Sequence, residues 1–295
     1  VTGYTLYERV SYAMSDVGSS SGVPDDVLQT MLSEGTDTVV VDTVAYDGSA
    51  STAVTTTLSG LSGGVSYDYV VAARSSAGEG VRSSALSVST SPPAPGSVTS
   101  VSQTTSSITL SWSAPVVTTG SAVTGYNVYM DDGITGTPSV AVSCVGGAAL
   151  DTTCIADGLT GGVSYSFQVS ASSTSGESDR SSVLAQSTSP AAVGGTMTFS
   201  SVTMTGMTLA WTAPSGATPT GYIVYRDDGD ASAMPTPSIV VFEGDALTTT
   251  VTGLTGGTSY TYMVEAFSAA GVGDVSATST QSTSPAAPLG LTSDT

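Results

Sequence analysis

Across 295 residues, 24 Asp and Glu face only five basic residues, all of them Arg, for a formal charge of −19. That balance argues against nucleic acid and anionic membranes as partners, because their phosphates would be repelled. His is absent, which removes the usual general base, the commonest metal ligand and every His-dependent triad, and two Cys cannot form a Cys-rich zinc site.

The length allows two or three domains. An apolar content of 39%, 34 Gly and abundant Ser, Thr and Val favour short strands joined by tight turns. The acidic excess serves solubility, or else suits divalent cations or basic partners. No apolar run approaches the ~20 residues that span a bilayer. Val1-Thr2-Gly3-Tyr4 carries neither an initiator Met nor a signal sequence, so a processed or excerpted chain is expected.

Residues 1–91 open on a strand, Val1-Thr2-Gly3-Tyr4-Thr5-Leu6-Tyr7. An insertion follows that predicts a short helix within 23–35. There Pro24 suits the first helical position, Asp25 and Asp26 the positive end, and Gly35 the stop. Its apolar stripe either packs on its own domain or docks a neighbouring module or subunit through Leu28 and Met31. Gly60-Leu61-Ser62-Gly63-Gly64 then leads to Tyr67, Tyr69, Val71 and Ala73, which a period of two places on one strand face. Ser-Thr-Ser-Pro closes the segment at Pro92.

In residues 92–189, Ile108, Leu110 and Trp112 alternate with polar neighbours, and Val123-Thr124-Gly125-Tyr126-Asn127-Val128-Tyr129 repeats the opening of the chain. Asp131-Asp132-Gly133 is ordinary hairpin chemistry, with a hard-cation site as the other reading. Gly158 to Gly162, then Tyr165, Phe167, Val169 and Ala171, precede closure at Pro190. Residues 190–284 pass through the same series: Met207, Leu209 and Trp211; Pro219 to Tyr225; Asp227 to Asp230; Gly253 to Gly257; then Tyr260, Tyr262, Val264 and Ala266. The last two closures, Pro190 and Pro285, lie 95 residues apart, which is one small domain per repeat. Residues 285–295 match the linker and start of a further module.

These markers resemble the fibronectin type III family. A Trp stands on strand B (Trp112, Trp211), Gly-Tyr-x-Val/Leu on strand C, and a Leu with the Tyr of a tyrosine corner at the E–F turn. The resemblance implies an all-β chain of serial immunoglobulin-like β-sandwiches, with Trp112, Trp211, Leu61, Leu159, Leu254, Tyr67, Tyr165 and Tyr260 in their cores. The first sandwich opens at strand C and so lacks strands A and B. Either the chain is a window cut from a longer repeat protein, or a neighbouring molecule supplies the missing strands by β-augmentation. The fold brings no fixed chemistry, so no catalytic residue, cofactor or metal site is expected.

In a chain of secreted character, Cys144 and Cys154 are expected as a disulfide, a reduced pair being the other reading. Tyr7, Tyr129 and Tyr225 fall on the outward side of strand C. There they line a contact between modules or molecules, or are covered by a local loop. The Ser/Thr-rich surface and linkers suit O-linked sugars, or reflect β-propensity and turn chemistry alone. The resulting expectation is a non-catalytic, extracellular or cell-surface structural or adhesive repeat protein. It would serve a filament, appendage or surface layer and associate with itself or with neighbouring modules. Two alternatives stand beside it: a ligand-binding ectodomain of an adhesion protein, and a spacer of a secreted polysaccharide-active enzyme.

Overall fold

Strands of alternating polarity account for all regular structure among the residues that the computed structural model describes: 1–13, 24, 38–48, 50–145, 148–229 and 237–286. These residues divide into two compact units. One holds Val1–Pro95, Ala114–Tyr126 and Ser170–Arg180; the other holds Gly96–Ser113, Asn127–Val169 and Ser181–Thr295. The division therefore does not follow the three repeats, because two segments of the second repeat belong with the first unit.

The first repeat, residues 1–91, supplies β1 (Gly3–Ala13), β2 (Thr38–Gly48), β3 (Ser66–Ser75), β4 (Gly78–Glu79) and β5 (Leu86–Ser89). They form one antiparallel sheet in the order β2-β1-β3-β4, with β5 paired to β3. Among the described residues no second sheet of this repeat covers it. The side chains that should face such a sheet are correspondingly uncovered: Val71 is 40% exposed, whereas its counterparts Val169 and Val264 are at 0% and 1%. Leu61, expected in the core, is 39% exposed for the same reason, and Tyr67 is only half-buried. Burial has moved to the opposite face, where Thr5, Tyr7, Val70 and Ala72 are enclosed. The helix expected within 23–35, with Leu28 and Met31, lies outside the described residues apart from Pro24.

The second repeat runs through β6 (Gly96–Gln103), β7 (Ser107–Ser113), β8 (Val123–Met130), β9 (Val140–Val142), β10 (Thr153–Asp157), β11 (Ser164–Ser173), β12 (Gly176–Glu177) and β13 (Leu184–Ser187). Its sheets are β10-β7-β6 and β12-β11-β8-β9, with β13 on β11. Ile108, Leu110 and Trp112 of β7 are buried while the residues between them are not, as a half-buried strand requires.

The third repeat supplies β14 (Thr198–Ser200), β15 (Gly206–Ala210), β16 (Gly221–Arg226), β17 (Ile239–Gly244), β18 (Thr248–Thr252), β19 (Ser259–Ser268), β20 (Gly271–Val272) and β21 (Ser279–Ser282). Its sheets are β14-β15-β18 and β17-β16-β19-β20, with β21 on β19. Met207, Leu209 and Trp211 meet Tyr222, Val224, Tyr260, Tyr262, Val264 and Ala266 in one core. Trp211 stands edge-on to Tyr222 and Phe242, with ring centroids 5.8 and 5.5 Å away. Losing such a ring costs about 3–5 kcal/mol. The same β-bulge recurs at matched positions of two repeats, between Leu6 and Tyr7 and between Val224 and Tyr225.

Candidate functional site

The turn before each long strand β3, β11 and β19 is closed by two side chains. First, a tyrosine hydroxyl accepts a backbone N–H five residues upstream: Ser62 to Tyr67 at 2.8 Å, Thr160 to Tyr165 at 3.0 Å and Thr255 to Tyr260 at 3.0 Å. Second, the Thr of each closing Ser-Thr-Ser-Pro folds back onto the same turn. The hydroxyls of Thr90, Thr188 and Thr283 accept the N–H groups of Val65, Val163 and Thr258, each at 3.1 Å. They donate to the carbonyls of Ser62, Thr160 and Thr255 at 2.7, 2.7 and 2.6 Å. The closing motif is thus a clasp as well as a linker. Its trace in the sequence is the constant spacing of 23 residues from each corner Tyr to its Thr.

The first repeat also gathers three of the five Arg into a network that sequence reading missed. Arg9 grips Asp42 with two hydrogen bonds of 2.7 and 2.8 Å, and Arg82 reaches the same carboxylate at 2.6 Å. Hydrogen bonding from Arg9 is the main reason that the Asp42 pKa falls to about 2. Arg74 and Arg82 both pair with Glu79, which accepts the Tyr7 hydroxyl at 2.6 Å. The Arg82 guanidinium lies 3.9 Å from the Tyr7 ring centroid. Tyr7, expected on an outward surface, is therefore 5% exposed and belongs to this network. Tyr129 and Tyr225 are half-buried. Tyr225 donates to Glu265 at 2.5 Å, and that bond, with burial, lifts its pKa to about 12.

The acidic turns spend their carboxylates on their own backbone. Asp131 is buried and accepts the N–H groups of Gly133 (3.2 Å) and Ser166 (3.0 Å), and Asp227 accepts that of Gly229 (3.2 Å). Both glycines hold positive φ, 76° and 85°, as such turns require. Asp132 accepts from the backbone of Thr135 and Ile134, which lowers its pKa. Among the described residues no group of three or more acidic or Cys side chains could hold a metal ion. Cys144 and Cys154 form a disulfide, which ties β10 to the chain just after β9. An apolar groove on the uncovered sheet face of the first repeat is lined by Tyr4, Leu6, Tyr46, Val54 and Val71, with two Thr and an Ala and no carboxylate.

The sequence profile of the fibronectin type III domain matches residues 92–187 and 191–282. The chain is 33% identical over 192 residues to chitinase A1 of Niallia circulans, a match covering 62% of the chain and 24% of that protein. It is 36% identical over 185 residues to endoglucanase B of Cellulomonas fimi, covering 60% and 16%. It is 31% identical over 261 residues to exoglucanase B of the same species, covering 80% and 22%. The chain therefore spans about a quarter or less of the length of these relatives. Among solved structures, a two-domain fibronectin type III segment of chicken tenascin matches at 20% identity and a TM-score of 0.35, covering 64% of the chain and 99% of the segment. With profile matches over two successive repeats and paired sheets in each, the chain belongs to the fibronectin type III domain family.

Proposed function

We propose that the chain is the non-catalytic spacer region of a secreted polysaccharide-degrading enzyme. The observation that carries this reading is the 31–36% identity to three proteins named as a chitinase, an endoglucanase and an exoglucanase, of which it matches only a minor part. The chemistry of the chain agrees. It has no His, its acidic turns are consumed by backbone hydrogen bonds, and its apolar groove lacks a carboxylate pair. The disulfide fits an oxidising, extracellular setting. What the repeats supply is separation: β-bodies with closed corners hold flanking domains apart without hydrolysing anything.

Antiserum raised against residues 92–286 tests this on the native protein. Culture fluid is expected to contain a reactive polypeptide several times longer than 295 residues that clears a chitin or carboxymethylcellulose zymogram at the same position. A reactive species of 295 residues, or a long one with no glycan hydrolysis, overturns it.

One observation favours a second reading, a self-associating structural or adhesive subunit. The groove on the inner sheet face of the first repeat leaves its lining residues Val54 and Val71 at 83% and 40% exposure, and a second molecule would bury them. Ordered fibres in the same culture fluid would select that reading.

A further inference from the structure

The Gly-Gly pair that ends each E–F turn is a repeat marker whose second N–H bonds the closing Ser carbonyl of its own repeat, Gly64 to Ser91 at 2.7 Å, Gly162 to Ser189 at 2.8 Å and Gly257 to Ser284 at 3.0 Å. Its second glycine holds φ of 70° at Gly64, 70° at Gly162 and 71° at Gly257, a left-handed conformation that costs glycine little. At two places that conformation aims a carbonyl into a contact across the linker.

Within the first unit, the Gly64 carbonyl accepts the N–H groups of Thr118 (3.2 Å) and Gly120 (3.0 Å), and the Thr119 hydroxyl accepts the Ser66 N–H at 3.0 Å. Within the second unit, the Gly162 carbonyl accepts the Ala217 N–H at 2.7 Å. The linker serine adds a matching bond each time: Ser91 donates to the Ser175 carbonyl at 3.3 Å, and Ser189 to the Ala270 carbonyl at 3.1 Å. Ser175 and Ala270 each precede the glycine at an F–G tip, Gly176 and Gly271, with φ of 125° and 115°.

On the receiving side space requires glycine at Gly120 and leaves only a tight fit for a side chain at Gly216, Gly176 and Gly271. A Cβ on Gly120 would stand 2.6 Å from the Gly64 carbonyl carbon. One on Gly216 would stand 3.0 Å from the carbonyl oxygens of Gly161 and Gly162. At Gly176 it would meet the Ser91 hydroxyl at 2.8 Å, and at Gly271 the Ser189 hydroxyl at 3.1 Å. The first glycine of each pair clears the linker: a Cβ on Gly63 would be 3.2 Å from the Pro93 nitrogen, and one on Gly161 3.0 Å from Ala191.

We propose that the Gly-Gly turn and the linker Ser of each repeat form a docking surface for two loop tips of the repeat that follows, the B–C loop (β7 to β8 or β15 to β16, with Gly120 or Gly216) and the F–G loop (β11 to β12 or β19 to β20, with Gly176 or Gly271), making each linker a hydrogen-bonded joint. The partner it fits is another repeat of this type, one with glycine in the B–C loop and at the F–G tip. Backbone atoms carry most of the contact, so the joint tolerates side-chain drift outside the Gly and Ser positions and Thr119. It goes beyond the spacer reading and stands whatever domains flank the chain.

Native-state hydrogen exchange on the 295-residue chain reads the joint at its donors. The Thr118 and Ala217 amides are expected to exchange at least about 100-fold more slowly than unstructured amides. Gly120→Ala is expected to speed Thr118 and Ser66 by at least about tenfold while leaving Ala217 protected; Gly216→Ala does the reverse. Gly194→Ala, where a Cβ meets nothing within 4 Å, changes neither. Thr119→Val removes only the acceptor of Ser66 and is expected to speed that amide alone, so the proposal stays testable if Gly120→Ala fails to fold. Thr118 and Ala217 exchanging at unprotected rates in the parent overturns the joint. So does a folded Gly120→Ala with Thr118 protection intact, or a Thr119→Val in which Ser66 is unchanged.

Discussion

Thr188→Val perturbs the clasp with little change of shape, since it exchanges a hydroxyl for a methyl group. Thr188 is 1% exposed, and its hydroxyl serves the Val163 N–H at 3.1 Å and the Thr160 carbonyl at 2.7 Å. Valine strands both partners. Two hydrogen bonds at about 1 kcal/mol each, with part of the desolvation cost of the stranded groups, give a loss of about 2–4 kcal/mol. For a domain of this size that lowers the melting temperature of the second repeat by roughly 10–25 °C. Urea denaturation followed by Trp112 fluorescence in a Trp211→Phe background reports this repeat alone. Thr188→Ser keeps the hydroxyl and is expected to recover most of the loss. Thr283→Val, at a site 4% exposed, should match it in the third repeat, read by Trp211. Thr90 makes the same bonds but is half-buried, so water replaces the hydroxyl and Thr90→Val is expected to cost under about 1 kcal/mol. A Thr188→Val loss below about 0.5 kcal/mol, or a Thr90→Val loss equal to it, would show that burial does not set the strength of the clasp.

Three further outcomes follow from the same geometry. Reducing Cys144–Cys154, which are 10 residues apart, is expected to lower the stability of the second repeat by about 2–3 kcal/mol on the chain-entropy account, measured by urea denaturation with and without reductant. Asp42 titrates near 3.8 when free and at about 2 in the fold, so its contribution is fully present above its free pKa and is lost as pH falls through about 2. Carbon-13 carboxyl shifts should place it there in the parent and return it towards 3.8 in a combined Arg9→Met, Arg82→Met variant. Tyr225 ionises near 10 when free and at about 12 in the fold. Its stabilising effect is therefore intact below pH 10 and lost as pH rises through about 12; Glu265→Gln should bring its absorbance titration back towards 10.

Much of the fold was legible because a period of two leaves a plain trace. Ile108, Leu110 and Trp112 alternate in sequence and bury alternately in β7. The first repeat shows where such a trace stops. Tyr4, Leu6 and Val71 carry the inner-face pattern of their counterparts, but a pattern records which face is apolar and says nothing about whether a second sheet covers it. Tyr7 illustrates the reverse: its outward position was readable, while its enclosure depends on Glu79 and Arg82, more than 70 residues away. The Arg9–Asp42–Arg82 network left a faint signal, three of five Arg confined to residues 1–91 of an acidic chain. The joints across the linkers left only the recurring Gly-Gly pair and linker Ser, because a backbone carbonyl accepting a backbone N–H writes no side-chain signature of its own.

The clasp also bears on how such chains change in length over generations. Each Ser-Thr-Ser-Pro is bonded to a turn of its own repeat, by Thr188 to Val163 and Thr160 and by Thr283 to Thr258 and Thr255. A crossover between two copies of that motif therefore exchanges whole bodies and opens no corner. Unequal recombination at these points adds or deletes one complete repeat at a time, and the array can lengthen while every member stays folded.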